Sequence, residues 1–433
     1  MRHVVTFSFV LLASVGCASR AKQSVSLYEA GDYAGAAKAA DAGLANHPSD
    51  AGLWQMRVRS ALALGDGEAV AKAYGTYRGH SGGDDAELLQ DLAIATLGQA
   101  LASPSVRLKI AAIDAVATAE LQVLADDVAE RLGDDDDRVA AAAASAVLRG
   151  YPQAPKVASQ MLHSEDAEAR RIAVEGVGKK IGALAVIDLQ KLAGSDPDAR
   201  VRRAAIRWLG QIKDKESVEL LVRQMRHQDE AVRAAAATAL ARIGAGDLAA
   251  FAKQALGDRA VGVRLAGIEL LVAAKQNAEL VKLAETEADP MVAAEAAIAA
   301  KRNDLVIKAL DRAVVAEAWT IRAGAANIAV RGVGKSTAIE LARKLVADPE
   351  IGVRLAAARV LGSAGDREAA IRVFAAALTG ESALSAASDL AHLGDERAIG
   401  ALDAMVRDQK ASPDQRAAAA SAHRTARRVT PGL

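Results

Sequence analysis

From Ser103 to near its end, this 433-residue chain repeats itself. An acidic turn, a Val-Arg pair, a run of small residues and a Leu-Gly recur. They read DPDARVRRAAIRWLG at 196–210, HQDEAVRAAAATALARIG at 227–244 and DPEIGVRLAAARVLG at 348–362. The slot after the valine position holds Arg107, Ala140, Arg170, Arg202, Arg233, Arg264, Ala293, Arg322, Arg354, Ser385 and Arg416. Successive slots lie 29 to 33 residues apart, and arginine fills eight of the eleven. A fixed period of this length leaves few folds open, because each unit is one supersecondary element that buries its apolar face only by stacking on its neighbours.

Spacing inside a unit identifies the element. Val201, Ala205, Leu209 and Ile212, then Val218, Leu221, Val222 and Met225, recur at helical intervals on either side of Lys213-Asp214-Lys215. Two amphipathic helices per unit follow. Composition agrees. Apolar residues make up 52% and aromatics 3%, and alanine favours helix while being depleted in strands. With that much apolar surface to bury, the chain is not disordered. The expected fold is all-α: an α-solenoid of about eleven hairpins forming a superhelix over 102–433, preceded by two further hairpins. The 54 basic and 54 acidic residues cancel, which opposes a nucleic-acid binder.

The repeated seed resembles HEAT repeats, in the short form found in phycobilin lyases and many bacterial proteins. That resemblance implies that the Val-Arg helix lines a concave face. It also implies that the turn Asp and slot Arg bond between neighbouring repeats, Asp198 with Arg202 and Asp229 with Arg233. Arg107, Arg170, Arg202, Arg233, Arg264, Arg322, Arg354 and Arg416 are then structural, and units with Ala140, Ala293 or Ser385 form weaker or more irregular joints.

Before the array, Gly31-Asp32-Tyr33, Ala36 and Pro48 resemble the second half of a tetratricopeptide (TPR) repeat, and Gly65-Asp66 brings the same turn back 34 residues later. The TPR-like domain is expected over 17–101, with 85–101 as a capping helix. In that family the first helix of a repeat lines a peptide groove, which makes Gln55 and Arg59 candidate contacts. At the N-terminus, Arg2 and His3 precede a mostly apolar stretch from Val4 to Val15, too short to span a bilayer. It ends in Ser14-Val15-Gly16-Cys17, which resembles the lipobox of bacterial lipoproteins, departing at Ser14 where Leu is commonest. The resemblance implies a signal peptide over 1–16, lipidation of Cys17, and, with Ala18 next, a lipid anchor in the outer membrane of a Gram-negative bacterium facing the periplasm. Cys17 is the chain's one cysteine.

Other motifs point away from catalysis. Gly332-Val333-Gly334-Lys335-Ser336-Thr337 looks like a phosphate loop, but Ala329 stands where its first glycine belongs. Asp134 to Asp137 lack the alternating ligands of a Ca²⁺ loop. No two of the seven histidines stand at metal-ligand spacing, and the His-Glu dipeptides through which HEAT-repeat hydroxylases hold iron are absent. No metal, cofactor, nucleotide or nucleic acid is expected, and the chain reads as no enzyme.

Residues two, six and ten places after the valine share a helical face. They place Arg171 and Lys179, Arg203 and Arg207, and Arg242 on the expected concave surface as a basic patch for an acidic protein segment. The reading is a membrane-anchored, non-catalytic scaffold that binds protein partners through its TPR and HEAT surfaces. A bilin-lyase-like enzyme and a structural envelope spacer are the alternatives.

Overall fold

The computed structural model describes residues 18–81, 85–408 and 410–429, so the lipobox and Cys17 lie outside the described residues. The fold is an all-α solenoid of helical hairpins, in two compact units that divide between Ala185 and Val186.

The first unit contains α1 (Ala18–Glu29), α2 (Tyr33–Leu44), α3 (Ala51–Ala63), α4 (Gly67–Ser81), α5 (Ala86–Leu101), α6 (Val106–Thr118), α7 (Ala125–Glu130), α8 (Asp137–Val147), α9 (Ala154–Met161) and α10 (Ala167–Lys180). The second contains α11 (Val186–Ser195), α12 (Ala199–Ile212), α13 (Val218–Gln224), α14 (Glu230–Ile243), α15 (Leu248–Leu256), α16 (Val261–Ala273), α17 (Asn277–Thr286) and α18 (Pro290–Ala299). It continues with α19 (Asn303–Ala313), α20 (Trp319–Gly332), α21 (Lys335–Leu345), α22 (Ile351–Ala364), α23 (Arg367–Ala376), α24 (Ala383–His392), α25 (Arg397–Arg407) and α26 (Pro413–Val429).

Every slot residue of the 31-residue period falls on an even-numbered helix, from Arg107 on α6 to Arg416 on α26. The acidic turns start these helices. Asp136, Asp166, Asp198, Asp229 and Asp289 are N-caps whose carboxylates accept backbone N–H groups of the first turn. Gly244 and Gly365 end α14 and α22 in the left-handed region. The helical spacing becomes a core. Val201, Ala205, Leu209 and Leu221 are fully buried, and each buried leucine contributes about 2 kcal/mol.

Small residues set how closely the helices approach. A Cβ on Gly210 would lie 2.8 Å from the Cα of Ala239, so α12 and α14 touch nearly backbone to backbone. In the second unit α12, α14 and α16 pack directly on one another, as do α20 and α22, while α18 packs less closely on α16 and α20. α18, which carries Ala293, is thus loosely packed on both sides, including the α16 side where Arg264 reaches Glu287. The weaker joint expected at Ala140 is not seen. α8 packs closely on α10, because Ala140 to Ala144 are all buried and Gly176 leaves room for Ser145.

In the first unit, α1 to α4 form two hairpins, and Gly31 and Gly65 take positive φ at equivalent turns (82° and 71°). α5 packs on both α3 and α6, so the boundary expected at 101/102 is bridged. The division between compact units falls instead inside the repeat array.

Candidate functional site

The slot arginines bond in a pattern that differs from the expected Asp198–Arg202 and Asp229–Arg233 ladder. Those two aspartates cap their own helices, Asp198 onto the Arg200 N–H and Asp229 onto the N–H groups of Ala231 and Val232. The slot arginine first folds back on its own turn. Arg233 Nη1 donates to the carbonyls of His227 (2.8 Å) and Gln228 (2.9 Å). Arg170, Arg264, Arg322 and Arg354 make the same pair of bonds, to the residues six and five positions earlier.

The other edge of the guanidinium reaches the next repeat, at an acid two residues before the N-cap. Arg233 grips Asp258 through Nε and Nη2 (2.7 and 2.9 Å), and Arg322 grips Asp348 likewise (2.7 and 3.0 Å). Arg264 reaches Glu287 at 3.4 Å. Each acid also accepts the N-cap N–H of its own helix, at Ala260, Glu350 and Asp289. The arginine bonds hold the carboxyls of Asp258 and Asp348 below the usual carboxylate range. Paired, mostly buried charges of this kind lock one repeat to the next.

Arg202 departs from the pattern. His227 occupies the acid position, and its Nδ1 accepts the Asp229 N–H. Arg202 bonds the carbonyls of Asp196 and Gly194 and reaches Gln224 Oε1 at only 3.4 Å. At one slot without arginine, another arginine stands in, and at a second an arginine bonds the slot residue itself. At Ala293, Arg312 comes from α19 to donate to the carbonyls of Glu287 and Ala288, the two that a slot arginine would take. At Ser385, Arg359 bridges from α22 to Asp389 (2.9 Å) and to Ser385 Oγ (2.8 Å). The acid partners were visible in the sequence as the first residue of each turn. Arg312 and Arg359 carried no signal, because they sit on different helices at unrelated positions.

The candidate binding residues divide between the two units. In the first, Arg171 pairs with Glu168 (2.6 Å), three residues before it on the same helix, and Lys179 is exposed. In the second, Arg203 and Arg207 are exposed one turn apart on α12, and Arg242 is exposed on α14. The Arg207 guanidinium lies 6.0 Å from the centre of the Trp208 ring.

Gln55 and Arg59 do not face an open groove. Gln55 donates to Asp85 (2.6 Å) and Arg59 to Asp91 (2.7 Å), which fasten α3 to α5 and its N-cap. Burial opposes ionisation of Asp85, but bonds from Leu88 N–H, Gln55 and the Tyr77 hydroxyl hold its carboxyl below the usual range.

The remaining motifs serve structure. Gly334 is the N-cap of α21 and Lys335 its first residue, so the glycine-rich loop joins two helices instead of following a strand. Asp134 pairs with Lys109 (2.7 Å), and Asp136 caps α8 and pairs with Arg138 (2.6 Å). Among the described residues, no group of three His, Cys, Asp or Glu is placed to hold a metal ion. Among them too, no helix is long and apolar enough to cross a membrane.

The sequence model for HEAT repeats matches residues 154–227 and 187–272. The matched stretches carry the HEAT-repeat pattern. Solved structures match at low identity and low TM-score. A phycocyanin lyase complex from Nostoc is 20% identical with a TM-score of 0.23, over 64% of this chain and 96% of that one. Human deoxyhypusine hydroxylase is 21% identical with a TM-score of 0.27, over 64% and 100%. Importin beta is 14% identical with a TM-score of 0.32, over 96% and 60%. These are likenesses of fold alone. No curated protein matches the sequence.

Proposed function

We propose that the chain is a membrane-tethered, non-catalytic scaffold that binds protein partners on the exposed face of its even-numbered helices. The observation that carries this reading is in the second unit. Arg203, Arg207 and Arg242 are exposed on the same face of the adjacent helices α12 and α14, at the second, sixth and tenth places after the valine, while Arg202 and Arg233 beside them are turned into the joints. One set of arginines holds the repeats and the other faces solvent, where aligned charges steer and orient a partner. The two N-terminal hairpins, read as TPR-like, contribute a second surface. The tether rests on Ser14-Val15-Gly16-Cys17. Two or three acyl chains, at about 0.8 kcal/mol per buried CH₂, hold a soluble body at a membrane, here the outer membrane facing the periplasm.

The test is crosslinking in the native envelope with identification of partners. Charge reversal of Arg203 and Arg207 is expected to weaken capture, with salt-sensitive capture by the wild type and unchanged melting. Partners that survive this double variant but vanish on deletion of residues 20–84 would move the working surface to the N-terminal hairpins. Cys17→Ser is expected to abolish labelling by a fatty-acid analogue and release the protein from membranes. A wild type that takes no label would remove the tether.

A further inference from the structure

The even-helix face of the second unit changes character beyond Arg242. Between α14, α16 and α18 lies an open groove of about 610 Å³, within the size range of ligand-binding clefts. Leu265, Val272 and Ile298 give it an apolar lining, and the Val272 side chain is 51% exposed. Arg242 lines it from α14 and Glu269 from α16, both exposed. Glu295, on α18, is already paired with Arg331. The groove lies along the α16–α18 joint, where the helices pack less closely.

Resting on the reading that this face docks partners, we propose that the groove binds an amphipathic segment of a protein partner. Its apolar residues lie on Leu265, Val272 and Ile298, an acidic residue meets Arg242, and a basic residue meets Glu269. An exposed apolar surface bordered by charge marks an interaction site. Opposite charges on two neighbouring helices also give the segment a direction, since reversing it would set like charges together. The basic strip on α12 attracts an acidic segment from afar, and the groove supplies the apolar contact that holds it.

The experiment selects displayed random 16-residue peptides on the full-length chain and measures their binding to variants by fluorescence anisotropy. Enriched peptides are expected to carry apolar residues at helical spacing between an acidic and a basic end. Val272→Asp is expected to weaken them at least tenfold with unchanged melting. Arg242→Glu is expected to do the same and to recover binding for the peptide whose acidic residue is changed to lysine. That charge swap isolates the groove from a general loss of structure.

Peptides indifferent to Val272→Asp but lost on reversal of Arg203 and Arg207 would overturn the groove while leaving the docking face intact. Indifference to all of these variants would overturn both. A chain that sediments as a dimer, and that Val272→Asp converts to a monomer, would show the groove covered by a second copy and overturn the proposal.

Discussion

Arg233 and Arg202 occupy the same slot in consecutive repeats, yet their removal is expected to have unequal cost. Arg233→Ala removes two carbonyl bonds and a two-pronged pair with Asp258, whose side chains are 11% and 15% exposed. Bonds to charged groups are worth about 1.5–3 kcal/mol net, and breaking one side of a buried pair costs about 3–5 kcal/mol. Allowing for the remaining exposure, the loss is about 3 kcal/mol. Arg202→Ala removes carbonyl bonds and a long contact to Gln224, with no carboxylate left behind, for a loss of about 1.5 kcal/mol. A stacked-repeat chain need not unfold in one step, so the measurement is native-state hydrogen exchange read helix by helix. Protection across α14 to α16 is expected to fall about tenfold further in Arg233→Ala than protection across α12 to α14 falls in Arg202→Ala, since about 1.4 kcal/mol is a factor of ten. A double-mutant cycle of Arg233→Ala with Asp258→Ala should show coupling of about 1–2 kcal/mol. Equal losses for the two arginines, or coupling below about 0.3 kcal/mol, would refute the assignment of Asp258 as the locking partner.

The same logic predicts a gain. His227→Asp supplies the missing acid beside Arg202 and keeps an acceptor for the Asp229 N–H. Protection of α12 and α14 should rise by about 1 kcal/mol, and a neutral or negative result would show that the guanidinium cannot reach it. Gly210→Val should destabilise the α12–α14 joint by about 1–3 kcal/mol through overpacking against Ala239, read as a lower melting temperature. Asp258 and Asp348 are held low by Arg233 and Arg322, and Asp198 lies at about 2, through its bonds to Arg200. Carboxyls depressed in the folded state contribute stability that is present above about pH 4 and lost as pH falls through their folded values. Melting temperature should therefore fall from pH 4 toward pH 2, and Asp258→Asn with Asp348→Asn should flatten that fall while lowering stability at pH 7.

The sequence by itself determined the repeat. A 31-residue period with helical spacing inside it placed every slot on an even-numbered helix and every acidic turn at a helix start, because both are local properties of the chain. Tertiary structure decided what the sequence left paired by guesswork. Arg233 meets Asp258 and not Asp229, because its Nη1 folds back on its own turn and the first acid of the next repeat faces the free edge of the guanidinium. Arg312 takes from α19 the two carbonyls that a slot arginine would take at Ala293, a contact that no period along the chain encodes. Gln55 and Arg59 looked like groove residues by helical position, but α5 lies against them and takes their hydrogen bonds. Exposure of Val272 beside Arg242 and Glu269 likewise depends on how closely neighbouring helices stack, and that is settled only when the repeats meet.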